Sequence, residues 1–263
     1  RMSSRFSGGR MTDPSGQGVL ARPLHELPDP LPVPALSLLR GRPPFNSRLR
    51  TPGSKSLANR AILLAALCRG ESIIRGCPRD ADDTARMSAA VAALGASVAT
   101  NADGSMTISG VDGRWRPSAP DLRLDLGNAG TATRFLAAAS VLSPSPLVID
   151  GNERMRQRPI AQLIDLLAQL GVRGEYGGAA GKPPVRLIPA DQPPRAASLQ
   201  VATTQSSQFI SGLLLIAPWL HGGLTMRLTG EITSRSYIQM TLGLLDLLGA
   251  PVRTSDDLHI IRV

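Results

Sequence analysis

Leu94-Gly95-Ala96-Ser97-Val98, Leu170-Gly171-Val172-Arg173 and Leu248-Gly249-Ala250-Pro251-Val252 repeat one phrase at intervals of 76 and then 78 residues. Each reads as a helix end: the glycine stands where a C-cap requires positive φ, and a short strand follows. A period of this length marks an internally repeated architecture. Upstream of each phrase, apolar residues recur near i, i+3, i+4, i+7. They are Met87, Ala90, Val91 and Leu94, then Ile160, Leu163, Ile164 and Leu167, then Ile238, Leu242 and Leu245. This spacing predicts three amphipathic helices lying on a surface.

A second helix precedes each of these and is apolar nearly all round: Ala61 to Leu67, Phe135 to Ala139, and Ile210 to Ala217. Such helices belong in a core. Strands are expected around Leu122 to Leu126, Leu147 to Ile149, Leu199 to Ala202 and Leu224 to Leu228. Asn101-Ala102-Asp103-Gly104 supplies a hairpin turn before Met106-Thr107-Ile108. The sum is an α+β domain of three βαβαββ units, at about 45–115, 116–195 and 196–263. Residues 1–44 hold eight of the 22 prolines and no sustained hydrophobic period, so they are expected to form a disordered tail.

Composition narrows the function. With 42% hydrophobic residues and no apolar run of transmembrane length, the chain reads as a soluble globular protein. Cys68 and Cys77 are too few for a disulfide framework and lack zinc-site spacing, which fits a reducing cytoplasm. Neither has a nearby histidine base, and His25, His221 and His259 are scattered, so none of the five is assigned to catalysis. A net charge of +9 points to anionic partners. Only 3% of residues are aromatic, so base-stacking platforms are scarce and small phosphorylated ligands are favoured over nucleic acid.

Each core helix begins just after small polar residues: Pro52-Gly53-Ser54-Lys55-Ser56, Gly127-Asn128-Ala129-Gly130-Thr131, and Thr203-Thr204-Gln205-Ser206-Ser207-Gln208. Helix caps alone explain any one of these clusters. Three at equivalent repeat positions imply converging helix N-termini able to hold an anion. The surface helices also start with charge, at Arg154-Met155-Arg156-Gln157-Arg158-Pro159 and Ser234-Arg235-Ser236-Tyr237. With Pro159 at the first helical position, Arg158 would oppose the helix dipole unless an anion sits beside it.

Pro52 through Arg60, Leu126 through Arg134, and Ser206-Ser207-Gln208-Phe209 resemble the motifs of the 5-enolpyruvylshikimate-3-phosphate synthase family, in order and spacing, from about residue 48 onward. The resemblance implies transfer of an enolpyruvyl group from phosphoenolpyruvate to the 5-hydroxyl of shikimate 3-phosphate, without metal or cofactor, by a cytoplasmic enzyme that is monomeric when complete. It assigns Lys55, Ser56, Arg60, Ser206, Ser207, Gln208, Ser234 and Tyr237 to shikimate 3-phosphate. Lys55, Asn128, Gly130, Thr131, Arg158 and Gln208 go to phosphoenolpyruvate, with Lys55 catalytic and Arg134 supporting the second motif. It further implies a second domain of three like units, carrying acid/base carboxylates, that this sequence lacks, so the chain alone is expected to bind but not turn over. Phe135 departs from the proline that bacterial members often place after the motif arginine. The alternatives are the UDP-N-acetylglucosamine enolpyruvyl transferase, whose Lys-Asn pair is here Lys55-Ser56, a nucleic-acid-binding module, and a non-catalytic remnant.

Overall fold

A computed structural model describes residues 51–191, 197–202 and 206–263. The expected tail at 1–44 and the cluster residues Thr203, Thr204 and Gln205 lie outside them. Among the described residues, six α-helices and eleven strands follow in chain order. They are α1 (Lys55–Leu67), β1 (Glu71–Ile74), α2 (Asp82–Ala93), β2 (Ser97–Thr100), β3 (Met106–Ser109), β4 (Leu122–Asp125), α3 (Gly130–Ala139), β5 (Leu147–Asp150), α4 (Ala161–Gln169), β6 (Arg173–Tyr176), β7 (Val185–Ile188), β8 (Ala197–Ala202), α5 (Ser207–Ile216), β9 (Leu224–Thr229), α6 (Arg235–Leu247), β10 (Arg253–Thr254) and β11 (Ile260–Arg262).

The repeat is visible in the sheets. Two are four-stranded with the same order, β4-β5-β7-β6 and β10-β11-β9-β8 read from opposite ends, and the third is β1-β3-β2. In the second unit β4 and β5 run parallel, as a βαβ crossover through α3 demands, with Leu124 opposite Ile149. Strands β7 and β6 then return antiparallel. The third unit repeats this, with β8 parallel to β9 and Leu199 opposite Met226. The first unit shows only its last three strands among the described residues.

Each surface helix ends at its repeated phrase. Gly95, Gly171 and Gly249 have φ of 104°, 82° and 78°, the left-handed conformation that lets a chain leave a helix and that side chains with a Cβ resist. The residues picked out by periodicity face inward: Met87, Val91, Leu163, Leu167, Ile238 and Leu245 are all fully buried. Helices α1, α3 and α5 form the shared core, with Phe135, Leu136, Leu213 and Leu214 inaccessible to solvent. A Cβ at Gly212 would stand 3.1 Å from Ala138 Cβ and 3.2 Å from Arg134 O; its absence allows α3 and α5 to approach closely. Trp115 joins the first two units, donating from Nε1 to Ala139 O at 3.0 Å.

Candidate active site

One cavity of about 440 Å³ collects all twelve residues nominated as ligands, from three sequence motifs and two helix starts, and adds Asp83 and Thr233. The N-termini of α1, α3, α5 and α6 reach it, and Asp83 brings in the first turn of α2. Three termini were expected from the clusters. The extra ones come from two of the surface helices, α2 and α6, which begin at the cavity as the core helices do.

Lys55 and Ser56 open α1 behind the cap Ser54, whose hydroxyl accepts from Leu57 N. Lys55 Nζ donates to Asp83 Oδ2 at 3.1 Å. Ser206 caps α5 by accepting from Gln208 N at 3.2 Å, and Gln208 Nε2 donates to Thr131 Oγ1 at 3.1 Å, fastening α5 to α3 across the floor. Ser207 is buried. Ser234 holds φ 53° and ψ 53° before α6, where its side chain makes no capping bond, and Tyr237 lies one turn on. Asn128 Oδ1 is buried with no hydrogen-bond partner among the described residues. An unpaired acceptor of this kind costs free energy unless a ligand supplies a donor.

Arg60 reaches the cavity from beneath and is almost wholly buried. Its Nε donates to Thr241 Oγ1 at 2.8 Å, Nη1 to Ser56 O at 2.7 Å, and Nη2 to Ser211 Oγ at 3.2 Å and Tyr237 O at 3.3 Å. The guanidinium also stacks on Phe135 and Tyr237, 5.0 and 5.7 Å from the ring centroids. Burial lowers its pKa to about 10, against the opposing influence of Tyr237, so it stays charged at neutral pH. Most of its donors are committed to protein acceptors, and through them it fixes the backbone of Ser56 and Tyr237.

Arg158 corrects one sequence expectation. It does not stand at a helix N-terminus: α4 starts at Ala161, and Arg158 follows a 3-10 turn, Met155–Gln157, in an extended conformation with φ −87° and ψ 137°. The reason is Pro159, which disfavours helical geometry at the preceding residue. The side chain nevertheless lies in the cavity over Gly130, makes no hydrogen bond or ion pair among the described residues, and sits near the buried Arg134. Arg134 donates to Gly130 O at 3.2 Å and Pro159 O at 3.1 Å, tying the α3 start to the Arg158 segment. Burial first, and Arg158 second, push its pKa down to about 10.

Asp150, buried at the end of β5, anchors this corner. It accepts from Arg156 Nε and Nη2 at 2.9 and 2.7 Å and from Arg123, so Arg156 is spent on structure. Burial pushes the carboxyl up, but Arg156, Gly151 N–H and Arg123 outweigh it and leave the pKa below the usual range. A depressed carboxylate contributes stability above its unfolded pKa of about 3.9 and loses it as pH falls through the folded value. The melting-temperature gap between the wild type and Asp150→Asn is therefore expected to be full at pH 7 and to close below about pH 4; a gap unchanged down to pH 3 would contradict this account.

Cys68 and Cys77 are free, and burial raises both thiol pKa values, which suppresses the reactive thiolate. Among the described residues, no helix is long and apolar enough to cross a membrane.

The three-unit α+β domain and its helix-lined, net positive cavity define a chain of the enolpyruvyl transferase fold. The sequence pattern of EPSP synthase (3-phosphoshikimate 1-carboxyvinyltransferase) matches residues 39–263, and the chain belongs to that family. The 3-phosphoshikimate 1-carboxyvinyltransferase of Bordetella pertussis is 43% identical over 231 residues, 85% of this chain and 49% of the relative. That of Pseudomonas syringae pv. tomato is 39% identical over 227 residues, 86% of this chain and 53% of the relative. The solved EPSP synthase of Acinetobacter baumannii superposes with a TM-score of 0.69 at 25% identity, over 82% of this chain and 46% of its own. The chain thus spans about half the length of the relatives it matches.

Proposed function

We propose that this chain forms the shikimate 3-phosphate half of an enolpyruvyl transferase and acts with a further half of like architecture. The reaction adds the 5-hydroxyl of shikimate 3-phosphate to C2 of phosphoenolpyruvate while C3 takes up a proton. The tetrahedral adduct then loses inorganic phosphate and a methyl proton to give the enol ether. The observation that carries this reading is the convergence of all twelve nominated ligands on one cavity.

Serine hydroxyls and helix-end amides of Ser56, Ser206 and Ser207, with Gln208, Ser234 and Tyr237, suit a phosphorylated polyol. Arg60 acts in this set mainly by holding Ser56 and Tyr237 in place. The second anion takes the side of the cavity bounded by Lys55, Asn128, Gly130, Thr131 and Arg158, where the uncommitted guanidinium offers a fork to a carboxylate or phosphate. Lys55, reachable from both sides, is the proton carrier between them. Preorganised donors of this kind stabilise charge as it develops in the adduct. A cytoplasmic setting fits the two free cysteines.

Calorimetric titration of the chain with shikimate 3-phosphate tests the reading, with UDP-N-acetylglucosamine as the control. Saturable binding of the first and none of the second is expected. Preference for the nucleotide sugar would move the chain to the sister activity. Strongly salt-dependent binding to RNA, without response to shikimate 3-phosphate, would replace the enzyme reading altogether.

A further inference from the structure

Among the described residues, Asp83 is the one carboxylate lining a cavity otherwise suited to anions, which it shares with Lys55, Arg60 and Arg158. A negative charge there works against ligand binding, so its placement calls for a reason. It lies in the first turn of α2, beside Asp82, and acids at a helix start are favoured by the dipole. That need is met by Asp82 as well, which turns outward and pairs with Arg86 at 2.9 Å. Asp83 instead points into the cavity and takes the Lys55 ammonium at 3.1 Å; its side chain is 20% exposed and that of Lys55 is 60% exposed.

We infer that Asp83 is an exchangeable counter-ion for Lys55: it holds the ammonium against the α2 wall of the cavity and yields it to the incoming ligand anion. Asp83 is in this sense a positioning residue, acting on the ligand through Lys55. The inference rests on the proposed reading that the cavity holds an anionic substrate. Its consequence is that ligand affinity contains the cost of breaking an ion pair. A small anion that cannot reach Lys55 as well as the helix ends gains too little to displace Asp83. A pair this exposed is worth a fraction of a kcal/mol to about 1 kcal/mol, which corresponds to roughly a two- to fivefold effect on a dissociation constant.

The chain contains just two lysines, Lys55 and Lys182, so incorporation of [ε-13C]lysine gives two side-chain signals, with Lys182 as internal reference. Shikimate 3-phosphate is expected to move the Lys55 signal alone. Asp83→Asn is expected to move that signal in the unliganded chain and to bind shikimate 3-phosphate about two- to fivefold tighter. Asp83→Glu should restore wild-type behaviour. Asp82→Asn, which removes a neighbouring first-turn acid, should lower thermal stability comparably without changing signal or affinity. Asp83→Ser provides a second uncharged variant that keeps an oxygen at the helix start, should the asparagine fold poorly. If the wild type binds shikimate 3-phosphate and neither uncharged variant binds tighter, the inference fails and the proposed function stands. If the wild type binds neither shikimate 3-phosphate nor inorganic phosphate, both fall together.

Discussion

Arg60→Ala is expected to destabilise the domain by about 3 kcal/mol, from the lost buried packing and the acceptors left behind. For a domain of this size that is a fall in Tm of roughly 6–12 °C. The side chain spans the first and third units: its hydrogen bonds reach Ser56 on α1, Ser211 on α5, and Thr241 and the Tyr237 carbonyl on α6. Alanine leaves these acceptors without their donor and removes the cation lying over Phe135 and Tyr237. Arg60→Lys should recover less than half of the loss, since an ammonium cannot reproduce a planar fork bonded on three sides. Denaturant unfolding measures both, with Arg154→Ala, at an exposed position, expected to stay within about 0.5 kcal/mol. A loss below about 1 kcal/mol for Arg60→Ala would mean that water replaces the guanidinium at little cost.

The same residue shows how far sequence reasoning reaches. The likeness of Pro52 through Arg60 to the family's first motif implied a ligand role for it, at a place one turn after Lys55 and Ser56 on the same helix. That its donors are absorbed by Thr241 and Ser211 depends on contacts 181 and 151 residues away, which no local pattern announces. Gly95, Gly171 and Gly249 were legible for the opposite reason: a helix stop is local chemistry, repeated three times. Met87, Leu163 and Ile238 followed from periodicity.

Short strands were harder. Glu71-Ser72-Ile73-Ile74 forms β1 with an alternating, half-exposed pattern over four residues, too brief to stand out beside a helix end. Arg158 was nominated for a dipole argument that the structure removes, although its side chain does lie in the cavity. The restriction that Pro159 places on its predecessor was the better signal. Asp83 was missed: it stands in Arg79-Asp80-Ala81-Asp82-Asp83, where nothing local distinguishes the acid that turns inward from the one that turns out.

Gly130→Ala is expected to weaken phosphoenolpyruvate about ten- to hundredfold while shikimate 3-phosphate changes less than about twofold, as befits loss of a charge-assisted hydrogen-bonding partner for one ligand only. The added methyl would meet the Arg158 guanidinium, not backbone. The far end of a flexible side chain can move aside, so the fold should be spared. An alanine at the first helical position of α3, where φ is not in the left-handed region, is expected to gain about 0.4–1 kcal/mol from the unfolded state. Stability and second-anion affinity should therefore move in opposite directions. Arg158 has little freedom to yield without cost to binding, since the buried Arg134 cation, held to Gly130 O and Pro159 O, is close enough to repel it. Calorimetry with phosphoenolpyruvate, on the chain saturated with shikimate 3-phosphate, reads the effect. The decisive comparison uses Arg158→Ala: in that background Gly130→Ala should add almost nothing, because its target is gone. Additive losses, or an equal loss of both ligands from Gly130→Ala alone, would place the second anion elsewhere.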